Sequence, residues 1–222
     1  MGSLHLQTVA AGNIPRMRVT AVCDINPEKL KTARAEYPDI AAFGNYTKLL
    51  EDSDTDAVII AVPHPLHAKI AIEAFKYGKH VLVEKPIDIT VSAAENLCAA
   101  AKKSGRVFAI MFNQRTNGLF RKAREIVKSG ELGNLKRSVW IITNWYRTQS
   151  YYDSGEWRAT WAGEGGGVLL NQAPHNLDIW QWICGMPSAV TAFCNEGKFH
   201  NIEVEDEATI YAEYENGATG VF

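Results

Sequence analysis

The chain has 222 residues, 46% apolar and 22% charged, which is ample material for a buried core and excludes a disordered or collagen-like chain. Its 23 basic and 25 acidic residues leave a formal charge of −2, too little field to hold a polyanion, so nucleic acid is not the expected partner. No apolar run reaches the roughly 18 residues of a membrane span, and Met1 to Gly12 shows no basic region leading into an apolar core, as a secretory signal would.

In chain order, Met17–Asp24 reads as a strand ending in an acid, and Pro27 opens a helix through Glu36. Ala57–Val62 is a continuous apolar run stopped by Pro63, as for a strand covered on both faces. A helix over His67–Tyr77 stops at Gly78, and His80–Val83 is a strand running into Glu84-Lys85-Pro86. Thr90–Lys103 is an alanine-rich helix closed by Gly105, and Val107–Phe112 is a further strand. Strands alternating with helices predict a doubly wound parallel sheet, the α/β class.

The second half changes character. A helix over Gly118–Ser129 ends at Gly130, and Leu135–Tyr146 reads as a long strand. A polar, aromatic loop runs to Gly167, then a helix from about Val168 to Ile183 is ended by Gly185. Ser188–Asn195, Glu207–Tyr214 and Ala218–Phe222 read as strands, with Asn216-Gly217 as a hairpin turn. An antiparallel sheet in an α+β domain follows, with the boundary near Phe112–Arg115, dividing the chain into 1–112 and 113–222. Cys23, Cys98, Cys184 and Cys194 form no C-x-x-C pair, and three lie in apolar segments. Buried free thiols in a reducing cytosol are expected, rather than disulfides or metal ligands.

A dinucleotide-binding sheet usually opens with a strand and a glycine-rich turn. Here the first residues read as the helix after that turn, with Gly2 as the last glycine of the fingerprint. At the other end Phe222 closes a strand. The expectation is a fragment, the alternative a naturally compact domain. Asp24 sits where an acid accepts hydrogen bonds from the adenosine ribose and repels a 2′-phosphate, favouring NAD over NADP. The competing role for Asp24 is a helix cap ahead of Pro27.

The stretch Asp56–Pro86 (DAVIIAVPHPLHAKIAIEAFKYGKHVLVEKP) resembles the Gfo/Idh/MocA oxidoreductases, and so does Gly165–Trp182 (GGGVLLNQAPHNLDIWQW). The resemblance implies a Rossmann domain that binds NAD, followed by an α+β domain whose large sheet mediates homo-oligomerisation. On that template the chain lacks the first strand and much of the second sheet. Lys85 and His175 are then the catalytic pair, holding a substrate hydroxyl and taking its proton. Asn171, His175 and Asp178, spaced i, i+4, i+7, share one helix face, with Asn171 where the family pattern usually has aspartate. Gly2, Asp24, Pro63, His67, Glu84 and Lys85 line the cofactor, with Asn113 and Arg115 on its nicotinamide side. His67 has a second reading as a helix cap. No metal site is expected.

Between Trp145 and Trp161 lie Tyr146, Arg147, Tyr151, Tyr152, Trp157 and Arg158. Aromatic rings with arginines in a loop suit stacking on a sugar and bonding its hydroxyls; packing on the sheet or at a subunit contact is the alternative. The implied activity is NAD-dependent oxidation of a secondary hydroxyl on a sugar, cyclitol or glycoside, by a cytoplasmic dimer or tetramer. Two further readings stay open: an NAD-dependent glycosidase-type enzyme with transient oxidation, and a non-catalytic sugar-responsive or oligomerising module.

Overall fold

The computed structural model describes residues 1–143 and 146–222. It divides into two compact units, Met1–Met111 and Phe112–Phe222. No helix among the described residues is long and apolar enough to cross a membrane.

The first unit alternates helix and strand: α1 (Gly2–Ala10), β1 (Ala21–Cys23), α2 (Pro27–Glu36), β2 (Ala41–Phe43), α3 (Tyr46–Asp52), β3 (Ala57–Ile60), α4 (His67–Lys76), β4 (His80–Val83), α5 (Val91–Ser104) and β5 (Phe108–Ile110). Three of these helices, α2, α3 and α5, start where side chains cap them. Asn26 accepts the Glu28 amide, and the Thr90 hydroxyl accepts that of Ala93. Gly105 closes α5 in the left-handed conformation, which costs glycine nothing. Two parallel ladders form, β1 with β2 and β3-β4-β5 with β4 in the middle. The core gathers on the second ladder, where Ile60, Val81 and Val83 pack against Ile70, Ala74 and Phe75 of α4 and Leu97 of α5. Phe75 meets Phe108 edge-on at 5.9 Å, so Phe75→Ala removes a buried ring worth about 3–5 kcal/mol.

The second unit holds α6 (Gly118–Ser129), β6 (Arg137–Val139), α7 (Gln149–Tyr152), a π-helical turn (Val168–Gln172), α8 (Pro174–Cys184), β7 (Ala189–Glu196), β8 (Glu205–Glu213) and β9 (Thr219–Val221). Its sheet runs β6-β9-β8-β7, antiparallel except for the parallel β6–β9 pair. The β8–β9 turn is the Asn216-Gly217 hairpin, with Gly217 at φ +79°. Trp180 of α8 packs against Ala212, Tyr214 and Ala218, and its indole donates to Ser138 at 2.9 Å. Gly220 leaves room for that ring, since a Cβ there would lie 2.5 Å from it.

Several expectations change. The strand foreseen over Leu135–Tyr146 is only Arg137–Val139, because its partner β9 pairs no further than Val221; residues 144 and 145, including Trp145, lie outside the described residues. The helix foreseen from Val168 to Ile183 is broken at Pro174, which has no amide hydrogen and opens α8 as its first residue. Asn171 therefore belongs to the preceding π turn and does not share an α-helical face with His175 and Asp178. β2 and α3 were not foreseen. The four thiols are unpaired, yet Cys23, Cys98 and Cys194 are exposed rather than buried.

Candidate active site

The first group of candidate residues is a turn in the first unit. Glu84, Lys85 and Pro86 leave the carboxyl end of β4, the edge at which open α/β sheets take ligands. The last ladder bond runs from the Glu84 amide to Ile60. The buried Glu84 carboxylate is bonded to His5 of α1 at 2.6 Å and accepts the Lys85 backbone amide at 3.3 Å. The Lys85–Pro86 peptide is cis. Pro63 opens the short 3-10 turn His64–Leu66 ahead of α4. His67, foreseen as a cofactor contact or a cap, does not cap α4, whose N-cap is Leu66; it is 1% exposed, with Nδ1 2.7 Å from the Pro86 carbonyl and Nε2 2.9 Å from that of Val62. Asp88 extends the same fastening by accepting the amides of Ala68 and Ile89.

Asp24 follows β1 directly. The cap of α2 is Asn26, not Asp24. The Asp24 carboxylate accepts the Asn26 amide at 2.8 Å and lies 3.5 Å from the Lys29 ammonium, so it is held in place and one-third exposed.

In the second unit a run of glycines lets the chain pass very close to β8. A Cβ at Gly167 would fall onto the Glu205 carbonyl, and one at Gly163 onto that of Trp157. The buried Glu205 carboxylate accepts the amides of Gly167 at 2.9 Å and Leu169 at 3.0 Å, capping the π turn from the neighbouring strand. Asn171 in that turn donates its side-chain amide to Glu164, which is fully buried and also takes the Ala159 amide at 2.9 Å. A carboxylate thus stands beside position 171 even though 171 itself is an amide. His175, the second residue of α8, meets the Phe112 ring edge-on at 6.0 Å. Asp178, on the same helix, is bonded in a fork by Arg115 at 2.8 and 2.5 Å, and that carboxylate raises the guanidinium's pKa. Arg115 is therefore a brace between the Asn113–Thr116 turn and α8, with Asn113 closing that turn through its carbonyl.

The aromatic loop is built around two other groups. Arg158 stacks on Tyr151 and Trp157, at 4.5 and 4.6 Å from their centroids, and donates to the Tyr151 hydroxyl at 2.9 Å. Arg147 lies over the same Tyr151 ring, 5.1 Å from its centroid. Tyr146 and Tyr152 flank His200, whose Nδ1 is 3.0 Å from Asp206 and whose Nε2 is 2.8 Å from the Arg147 carbonyl. Burial, with Tyr151, Asp206 and Glu164 nearby, pushes the Tyr152 phenol up to about 12, so it offers a neutral hydroxyl and never a phenolate base at pH 7. Burial also pushes the Asp206 carboxyl up, but the Phe199 amide, the His200 ring and the amides of Lys198 and His200 together hold it below its ordinary value. Glu164, Glu205, His200, Asp206 and His5 were all missed by sequence reasoning. Only Glu164, inside the glycine run, carried any signal; Asp206 sits in an acidic stretch that reads as solvated surface.

A family model for the oxidoreductase family with an NAD-binding Rossmann fold matches residues 1–112, and one for the GFO/IDH/MocA C-terminal domain matches residues 120–222. The chain belongs to the Gfo/Idh/MocA family. Among members of that family and related dehydrogenases, the uncharacterised oxidoreductase YrbE of Bacillus subtilis is 29% identical across the whole of this chain and 63% of YrbE. Levoglucosan dehydrogenase of Pseudarthrobacter phenanthrenivorans is 26% identical over 90% of this chain and 56% of its own. The WlbA dehydrogenase of Bordetella pertussis, solved in complex with NADH and UDP-GlcNAcA, matches with a TM-score of 0.89 at 28% identity, covering 99% of this chain and 66% of WlbA. The chain spans less than two thirds of the length of each.

In the NAD-binding Rossmann unit of this Gfo/Idh/MocA chain, Asp24 is a held and accessible carboxylate of the kind that suits ribose hydroxyls.

Proposed function

We propose that this chain carries the cofactor and substrate sites of an NAD-dependent dehydrogenase that oxidises a secondary hydroxyl of a sugar, cyclitol or sugar derivative. The observation that carries the reading is Lys85 on a fastened turn at the carboxyl end of the middle strand β4, in a family whose relatives include levoglucosan dehydrogenase. Oxidation of an alcohol removes a hydride from carbon and a proton from oxygen. NAD, when bound, supplies the hydride acceptor. The chain's own residues manage the oxygen: Lys85 holds it by hydrogen bonding, and the His175 imidazole accepts the proton as the carbonyl forms. Asn171 holds a neighbouring hydroxyl, with Tyr146, Arg147, Trp157 and Arg158 bordering the sugar. Asn113 lies on the nicotinamide side, and Arg115 steadies that side through Asp178. Asp24 selects NAD(H) over NADP(H) by repelling a 2′-phosphate. The chain assembles as a homo-oligomer through the second unit's sheet.

The test is turnover of NAD+ with a panel of sugars and cyclitols. Loss of a positioned proton-transfer group costs about 10²- to 10⁴-fold, so Lys85→Ala and His175→Ala should each lower kcat by at least about 10²-fold. Turnover within a few-fold of the parent in both variants rejects the mechanism. Asp24→Ala should weaken NADH binding while relieving discrimination against NADPH.

A further inference from the structure

The residue assigned to hold the substrate oxygen lies between two fastened neighbours, and the second fastening is unlike an ordinary structural histidine contact. Past the ends of β3 and β4 the two strands continue as Val62-Pro63 and Glu84-Lys85-Pro86. The last ladder bond between them is at Glu84 and Ile60. Beyond it the His67 ring spans the two segments, Nδ1 on Pro86 and Nε2 on Val62. An imidazolium ring carries an N–H on each side and can donate to both carbonyls, whereas the neutral ring donates to only one of them; no shorter or apolar side chain can do either. His67 opens α4, whose Ile70, Ala71, Ala74 and Phe75 are buried in the core, so the bridge is anchored to the best-packed helix of the unit. On the other flank His5 of α1 grips Glu84 at 2.6 Å.

We propose that His67 is the positioning residue for Lys85, fixing the backbone from which the lysine side chain leaves by tying the Pro86 carbonyl to the turn after β3. The inference rests on the assignment of Lys85 to the substrate oxygen and adds a residue that acts through it without touching substrate. Of the two bonds, the one to Pro86 governs Lys85, because Pro86 is its direct neighbour, whereas Val62 belongs to the other segment.

That asymmetry makes the idea testable with two polar substitutions. A glutamine amide nitrogen reaches the position of Nε2 and keeps the Val62 bond, whereas an asparagine amide nitrogen reaches that of Nδ1 and keeps the Pro86 bond. The experiment is competitive trace acetylation of the 222-residue chain with acetic anhydride across a pH series, read lysine by lysine by mass spectrometry. In His67→Gln the labelling midpoint of Lys85 should move by about half a pH unit, or its limiting rate change about threefold, because the amine's surroundings change. In His67→Asn the Lys85 profile should stay near that of the parent. Lys102 and Lys103, exposed at the end of α5, serve as internal references and should not move. Equal labelling of Lys85 in parent and His67→Gln at every pH overturns the proposal, as does a larger change in His67→Asn than in His67→Gln. The readout needs neither substrate nor turnover, so it stands apart from the kinetic test: an active Lys85→Ala enzyme removes the role of Lys85, while an unmoved labelling profile removes the role of His67.

Discussion

Two buried carboxylates in the second unit show how a single side chain can set the behaviour of its surroundings. Glu164 is fully buried and receives the Asn171 amide, with Arg158 at 3.9 Å. Asn171→Asp would put two carboxylates in contact, which raises the pKa of the pair because like charges oppose ionisation. A carboxyl whose folded pKa is raised binds more protons folded than unfolded, so stability falls as pH rises. The variant should lose about 2 kcal/mol at pH 7, comparable to breaking a buried charged hydrogen bond, and recover much of it near pH 5, read as Tm at the two pH values. Asp206 has the opposite sign. Its folded pKa is lowered, so its contribution is present above the ordinary carboxyl range and is lost as pH falls through the folded value. Asp206→Asn should cost about 1–3 kcal/mol at pH 7 in urea unfolding, while parent and variant converge in acid. Because His200 links Asp206 to the Arg147 carbonyl, the same variant should also loosen Tyr146 and Arg147.

The elements that position these residues depend on close approaches. Gly167→Ala drives a methyl into the Glu205 backbone and should cost about 3 kcal/mol or more, or prevent folding, because Glu205 cannot yield without disturbing the pairing of β8 with β7. Gly118→Ala is the matched control: it opens α6 with nothing within 4 Å, and should be neutral or slightly stabilising in the same unfolding assay. Three of the capped helices were legible in the sequence, whereas α3, capped by Asn45, was not. α2, α5 and α6 begin after Asn26, Thr90 and Asn117, and the last two end at Gly105 and Gly130. The strands were less legible. β2 is three residues long, too short to show a period, and β6 is cut short by its partner rather than by anything in its own residues. Pro174 was visible, yet its effect was underestimated: it splits one foreseen helix into a π turn and α8, and so separates Asn171 from His175.

At the scale of the molecule, the second unit's sheet leaves one face open. Cross-strand register puts Val139, Val221, Tyr211 and Thr191 in one row, with Phe193 beside Thr209 on the same face, and Phe193 is 70% exposed. If the chain assembles through this face, Phe193→Glu combined with Tyr211→Lys should shift the species seen by light scattering toward monomer, without changing the far-ultraviolet spectrum. The alternation of strand and helix in the first unit and the turn bearing Lys85 could be read directly from the residues, because strand and helix periods, caps and short motifs are local properties of a chain. The partners that hold the site could not. His5 reaches Glu84 across 79 residues, Gly167 reaches Glu205 across 38, and His67 reaches Pro86 across 19. Those pairings exist only once the parallel strands of the first unit and the mostly antiparallel sheet of the second have set their registers, which is why the sequence determined what chemistry the chain could carry and the tertiary structure decided which side chains keep it in place.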